Sequence, residues 1–347
     1  MEVTTFDFGD IVLGTIEDDE KAVSARGVVT IGKRAMLQLG PLASGNLDRL
    51  RQLEPGFVTF IGADGLELTD RDYRAIAAAP GLRSVDFDNA PISDEQVAYF
   101  CRDGLVSLNL ATVSVSDAAM AAIASVSTLE HLFISRSSVT DAGLNALEGH
   151  AAIEAVHVAG TEVTKASAPV VASWPALTTL EMPSADDEIL IAAARPHSEW
   201  LHLRGGETTG RGIDALKQCA GLTRLGLRGA HVDDSACRAL ASLPNLRTLF
   251  LTGSTFDDVA LGEGLRQLAT LDGLIVNNTR AGDRLLEHLS RLPSLRAIDA
   301  MKTLVTDAGV AHLVPVATLE HADFSETAVT DAGRALLTQL PKPFVLG

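Results

Sequence analysis

The sequence predicts an α/β solenoid, built from one repeated unit whose strands form a parallel sheet and whose helices lie on the opposite side. Three observations predict it. The stretch Leu129 to Leu147, LEHLFISRSSVTDAGLNAL, places Leu129, Leu132 and Ile134 in the L-x-x-L-x-L spacing of a short strand, and Thr140-Asp141 then opens an amphipathic helix carrying Leu144 and Leu147. The phrase returns as Val305-Thr306-Asp307-Ala308-Gly309 and Val329-Thr330-Asp331-Ala332-Gly333. The spacing between copies is a steady period of roughly 24 residues, so each unit buries its apolar side only against its neighbours. One elongated domain follows from that.

Taken in order, residues 1–33 do not fit the repeat and carry the acidic run Glu17-Asp18-Asp19-Glu20 between the apolar runs Ile11 to Leu13 and Val28 to Ile31. They read as a hairpin-like N-terminal cap, because the first repeat would otherwise leave its apolar side in water. Residues 34–342 divide into about thirteen repeats, beginning near Arg34, Phe57, Leu82, Leu105, Leu129, Ile153, Leu177, Ser198, Leu222, Leu246, Leu271, Leu295 and Leu319. The unit at Leu177 is short and has Asp186-Asp187-Glu188 where Val-Thr-Asp should stand. Pro341-Lys342-Pro343 stops helix propagation and leaves residues 343–347 as a C-terminal tail.

Inside a unit each position has a physical role. In the one starting at Leu222, Leu222, Leu225 and Leu227 point into the core from the strand, Val232 from the loop, and Leu240 with Leu243 from the helix begun by Asp234. The pairs Ser93-Asp94, Ser116-Asp117, Thr140-Asp141, Thr306-Asp307 and Thr330-Asp331 sit where the strand gives way to the helix. They read as helix caps rather than a catalytic or calcium series, since a side-chain oxygen there accepts from orphan amides and the carboxylate meets the positive end of the helix dipole.

Composition limits the partners. Hydrophobic residues make up 46% and aromatic ones 4%, so the core is aliphatic. The formal charge of -17, from 45 acids and 28 bases, argues against nucleic acid as the main partner, because phosphate binding needs Lys and Arg. It suits a basic protein partner as well as simple solubility. Cys101, Cys219 and Cys237 show no metal-ligand spacing and read as small core residues in a reducing compartment. The N-terminal stretch lacks the pattern of a secretory signal, and nowhere is there a run of about 18 apolar residues. A cytoplasmic protein with no membrane contact is expected, so the triplet Asn277-Asn278-Thr279 is not a glycosylation site.

With these residues quoted, about nine-tenths of the chain resembles a leucine-rich repeat protein, and L-x-x-L-x-L followed by V-T-D-A-G-L-x-x-L is similar to the cysteine-containing and ribonuclease-inhibitor-like classes. The resemblance implies a horseshoe with the parallel sheet on the concave side, helices on the convex side, and protein binding on the concave strand face. Two departures stand out. The turn positions that often hold Asn are here Ser137, Thr161, Ser254, Thr279, Thr303 and Thr327, so no Asn ladder is expected, and residues 1–33 are too short for the F-box module of ligase adaptors.

Side chains alternate along a strand, so the residues between the buried leucines should project from the strand face. The middle column then reads Ile61, Asp86, Asn109, Phe133, His157, Glu181, His202, Gly226, Phe250, Ile275, Asp299 and Asp323, with His131, Trp200, Arg204, Arg224, Arg228, Met301 and His321 beside it. Phe133, Trp200, Phe250 and Ile275 have no core role in the repeat, and aromatics flanked by arginine are the composition of interface anchors. The partner-binding set is therefore Phe133, His157, Glu181, Trp200, His202, Arg204, Arg224, Arg228, Phe250 and Ile275. No catalytic residue, metal or cofactor is expected: the loop Gly205 to Gly212 lacks the Lys-Ser/Thr of a phosphate loop, and no Ser-His-Asp set, G-x-S-x-G elbow or H-E-x-x-H helix is present.

The expectation is a non-enzymatic, monomeric scaffold that binds another protein, in its most specific form an inhibitor that neutralises a basic one. Two alternatives stay open. One is an adaptor or effector presenting one protein to another; the other is a metal-dependent hydrolase at His157, Glu181 and His202, whose imidazoles and carboxylate on successive strands are zinc-type ligands.

Overall fold

The structure is a computed structural model describing residues 3–8, 13–17, 22–32, 34–338 and 345–346. Part of the acidic run, Asp18 to Glu20, and Pro341-Lys342-Pro343 lie outside the described residues, as do Ile11 and, in the C-terminal tail, residues 344 and 347. The chain forms two compact units, Met1–Ala176 and Leu177–Gly347.

The first unit starts antiparallel. Strand Val3–Asp7 pairs with Val28–Gly32, and Gly14–Glu17 lies between Ala22–Ser24 and Ala35–Leu39. From Ala35–Leu39 onward every pairing is parallel, through Val58–Gly62, Ser84–Asp86, Ser107–Asn109, His131–Phe133 and Ala155–His157. Val85, Leu108, Leu132 and Val156 stand in register and are fully buried, forming one aliphatic stack down the unit. Trp174 is the largest fully buried side chain, and its indole N–H donates to Leu147 O at 2.8 Å. A buried tryptophan is held when its one donor finds a carbonyl.

The second unit is parallel throughout: Thr179–Met182, Trp200–Arg204, Arg224–Arg228, Thr248–Phe250, Gly273–Ile275, Ala297–Asp299, His321–Asp323 and Val345–Leu346. Leu180, Leu201, Leu225, Leu249, Leu274, Ile298 and Ala322 make its buried stack. Helices alternate with these strands, and successive ones such as Asp234–Ala239, Asp258–Leu265, Asp283–Leu289 and Asp307–Leu313 pack side by side. Among the described residues no helix is long and apolar enough to cross a membrane.

The helix starts follow the capping logic and extend it. Thr140, Thr306 and Thr330 each accept the amide two residues on, while Ser93 and Thr69 form full capping boxes. The aspartate that follows the cap does something the sequence does not reveal, for it reaches to the next repeat. Asp117 accepts from Thr140 N at 2.8 Å and Thr140 Oγ at 2.7 Å, Asp283 likewise from Thr306 at 2.8 and 2.7 Å, and Asp307 from Thr330 at 2.8 and 2.6 Å. The irregular unit at Leu177 keeps this link, with Asp187 accepting from Thr209 N at 2.8 Å and Oγ at 2.6 Å. Each carboxylate thus ties one cap to the next.

The glycine of the T-D-A-G phrase follows from that link. A Cβ on Gly143 would stand 2.1 Å from Asp117 Oδ1, and one on Gly333 2.2 Å from Asp307 Oδ1. In the turn after the strand, Thr161, Thr279, Thr303 and Thr327 donate to the carbonyl three residues back at 2.6 to 2.7 Å. These local bonds occupy the place where an Asn ladder would run.

Candidate functional site

In the first unit the strand-face column is Gln38, Gly62, Asp86, Asn109, Phe133 and His157. Ile61 does not belong to it. It pairs with Leu37 and Val85 and is fully buried, and Gly62 takes the column position one residue later. The register shifts between Ala35 and Met36, at the join between antiparallel start and parallel repeats, and a one-residue slip turns a side chain to the other face. The Gln38 amide lies over the bare Gly62, where a Cβ would meet Oε1 at 2.1 Å.

Phe133 and His157 stand on adjacent strands with ring centroids 4.7 Å apart, edge to face, and His131 lies 6.4 Å from Phe133. Burial, helped by the nearby His131, pushes the His157 imidazole down to about 4, so it is neutral at pH 7. Among the described residues, one group of His, Cys, Asp and Glu brings its ligand atoms within 4.8 Å of one another: Glu130, His131 and Glu154. His131 Nε2 is 3.9 Å from Glu154 Oε2. The strand pattern passes over the two glutamates, which precede their strands one repeat apart, and that one-repeat spacing is the signal that could have found them. His157, expected as a possible ligand, packs on Phe133 instead.

In the second unit the column runs Glu181, His202, Gly226, Phe250, Ile275, Asp299 and Asp323, in the register expected from the repeat. Trp200 and His202 stack with centroids 5.7 Å apart at 27°, and His202 lies 6.2 Å from Phe250. That second approach crosses a whole strand, and Gly226 permits it. A Cβ there would stand 2.5 Å from His202 Cδ2, so the imidazole lies over the glycine and links the tryptophan to the phenylalanine. Gly226 has no role of its own in the predicted column; a residue with no side chain in the middle of an aromatic row is the signal that could have found it.

Charge is laid out around this row. Glu181 Oε1 is 3.5 Å from His202 Nδ1 and 3.6 Å from Arg204 Nη2, with the Glu181 side chain only 15% exposed. Arg204 stands in register with Arg228, and Trp200 with Arg224; Arg224 is exposed and Arg228 half-buried. Further along the same unit the face turns acidic: Asp299 Oδ1 lies 2.9 Å from His321 Nε2, and Asp323 accepts from Ser325 N at 2.8 Å. Phe133, Trp200, Phe250 and Ile275 are half-buried rather than fully exposed, and among the described residues the most exposed large apolar side chains are Val28, Leu42, Leu304, Met36 and Ile191. Half-burial against neighbouring strands fixes the rings while leaving their outer faces available.

The three cysteines are free. Cys237 is buried inside helix Asp234–Ala239, Cys219 is buried just after a 3-10 turn, and Cys101 is half-buried just after helix Asp94–Val97, so only Cys237 is strictly helical. Burial raises all three thiols, Cys101 to about 11 and Cys237 to about 12.

No protein-family model matches the chain, and no curated protein matches it either. Solved structures do. A crystal structure of an internalin from Listeria monocytogenes aligns with a TM-score of 0.58 at 13% identity, covering 87% of this chain and 88% of that one. A leucine-rich repeat protein of Leptospira interrogans aligns with a TM-score of 0.53 at 12% identity, covering 87% of this chain and 92% of that one. At such identities the likeness is one of fold. Together with the repeated strand-and-helix rungs and the buried leucine stacks, it makes this chain, by fold, a leucine-rich repeat protein.

Proposed function

We propose that the protein is a non-enzymatic scaffold that binds another protein on its strand face, with the row Trp200, His202 and Phe250 as the anchor. The observation that carries this reading is the row itself: three rings brought together over the bare Gly226 and edged by Arg204, Arg224 and Arg228. Rigid aromatics beside arginine contribute large contact area at small entropic cost, which is what interface hot spots do. Phe133 and His157 offer rings on the first unit's own strand face, and Glu181 and Ile275 belong to the face of the second. Asp299 and Asp323 give the second unit's face an acidic part, so a partner is oriented by charge as well as held by rings.

The net charge of -17 supports a basic partner drawn in over distance, the inhibitor form of this reading. Free thiols, two buried and one half-buried, suit a reducing, cytoplasmic setting, and the free protein is read as a monomer. The test is affinity capture from the native host with the wild-type chain and the Trp200→Ala, Phe250→Ala double variant. A specific protein retained by the first and lost with the second supports the reading; an identical captured set with both overturns it. One basic protein in a one-to-one complex is the inhibitor outcome, and two partners held at once the adaptor outcome.

A further inference from the structure

We propose that the first unit carries a second binding site, for a small phosphate-bearing anion, lined by Arg34, Arg83 and Arg102 where the chain enters its strands. A cavity of about 640 Å³ opens there, and none of the strand-face column residues lines it. Its lining includes Gly56, Gly81 and Gly104, one from each of three successive turns, with left-handed φ of 84°, 75° and 98°. Glycine adopts such backbone at the least cost, and at these three positions no side chain enters the space. The turns also stack closely: a Cβ on Gly81 would sit 2.5 Å from Gly56 N.

The arginines are brought together by the repeat. Arg34 N donates to Gly56 O, Arg83 N donates to Thr59 O, and Arg83 O accepts from Val106 N, so the segments bearing Arg34 and Arg83 lie two rungs apart. Two rungs span about 10 Å of sheet, which two extended guanidinium side chains can close from opposite sides. Arg102 is steadied by a bond from Nη2 to Ala79 O at 3.0 Å and keeps its remaining donors. Among the described residues no carboxylate pairs with Arg34 or Arg83, although the chain has 45 acids for 28 bases and Arg204, Arg247 and Arg296 each have a carboxylate within reach. Asp103 is the one carboxylate among the lining residues.

Three guanidiniums against one carboxylate leave a local positive excess in an acidic protein. Guanidinium forks match the several oxygens of a phosphate, and a dianion engages three of them where a single carboxylate engages one or two. The cavity is larger than inorganic phosphate requires and falls in the size range of small-molecule sites, so the ligand class is a small phosphorylated molecule.

The test is calorimetric titration with inorganic pyrophosphate at constant ionic strength, with acetate as the carboxylate comparison. Saturable one-site binding is expected, weakened about tenfold or more, or roughly 1.4 kcal/mol, in the Arg34→Gln, Arg83→Gln double variant and in Arg102→Gln, and unchanged in Arg266→Gln, Arg291→Gln. All the substituted side chains are exposed or half-buried, so the variants are expected to fold. Absence of saturable binding to the wild type, equal weakening by both double variants, or acetate binding as tightly as pyrophosphate overturns the proposal. None of these outcomes bears on the strand face, whose test is partner capture.

Discussion

Gly143→Ala is a substitution whose sign the structure reverses. Gly143 lies in helix Asp141–Leu144 with ordinary helical backbone, where exchange of glycine for alanine normally stabilises by about 1 kcal/mol. Here the new methyl would stand 2.1 Å from Asp117 Oδ1, 2.7 Å from its Cγ and 3.0 Å from its Cα. The carboxylate can turn away only by releasing Thr140 N and Oγ, its two donors at 2.8 and 2.7 Å. Overpacking costs about 1–3 kcal/mol, and loss of partly exposed, charge-assisted hydrogen bonds adds about 1 kcal/mol. Against the gain of about 1 kcal/mol from alanine, the variant should be destabilised by about 1–3 kcal/mol. Urea unfolding followed by far-ultraviolet circular dichroism would read this as a lower midpoint. In the Asp117→Ala background the carboxylate is gone and only the backbone at position 117 still crowds the new methyl, so the same glycine change should cost clearly less. A higher midpoint for Gly143→Ala in the wild-type background, or equal costs in the two backgrounds, would refute the assignment of the glycine to the cross-repeat carboxylate.

Four further outcomes follow from named side chains. Loss of the anchor rings, Trp200→Ala with Phe250→Ala, should reduce partner capture without lowering thermal stability much, because both rings are half-buried. His157, held at about 4 against an ordinary 6.5, should stay neutral in a proton NMR titration from pH 8 to 5. Because its folded value is depressed, the unfolded chain takes up the proton first; stability is full above pH 6.5 and falls towards pH 4, and His157→Phe should flatten that part of the profile. Asp72 is buried, which raises its carboxyl, but bonds from Thr69, Gly45 and Ser44 outweigh burial and hold it below 3.8; stability from it is present above that pH and lost below, so Asp72→Asn should lessen acid sensitivity of the melting temperature. Native protein should react slowly with a thiol reagent at pH 7, since burial keeps Cys101 and Cys237 protonated up to about 11 and 12, and all three thiols should react at once in denaturant.

The strand columns were legible because they rest on local spacing. Alternation puts Leu132 inside and Phe133 outside wherever the repeat holds, and the in-register pairing of Asn109, Phe133 and His157 needs nothing more. Ile61 departs from the pattern where the repeat meets the antiparallel start, since nothing in its own neighbourhood records the register shift at Ala35 and Met36. The surroundings of His157 escape the pattern for a similar reason: spacing puts residues on neighbouring strands, but only packing decides that this ring meets Phe133 edge to face while Glu130, His131 and Glu154 converge.

The sequence by itself determined the repeat, the aliphatic core and the caps, because each is decided within one period by hydrophobic spacing and a hydroxyl next to orphan amides. Only the tertiary structure decided what crosses from one repeat to the next: the aspartate that reaches the following cap, the glycine that makes room for it, His202 lying over Gly226, and the arginines around one cavity. Those features depend on side-chain direction at distances of a few ångströms between segments about 24 residues apart, and a linear pattern carries the spacing but not the direction.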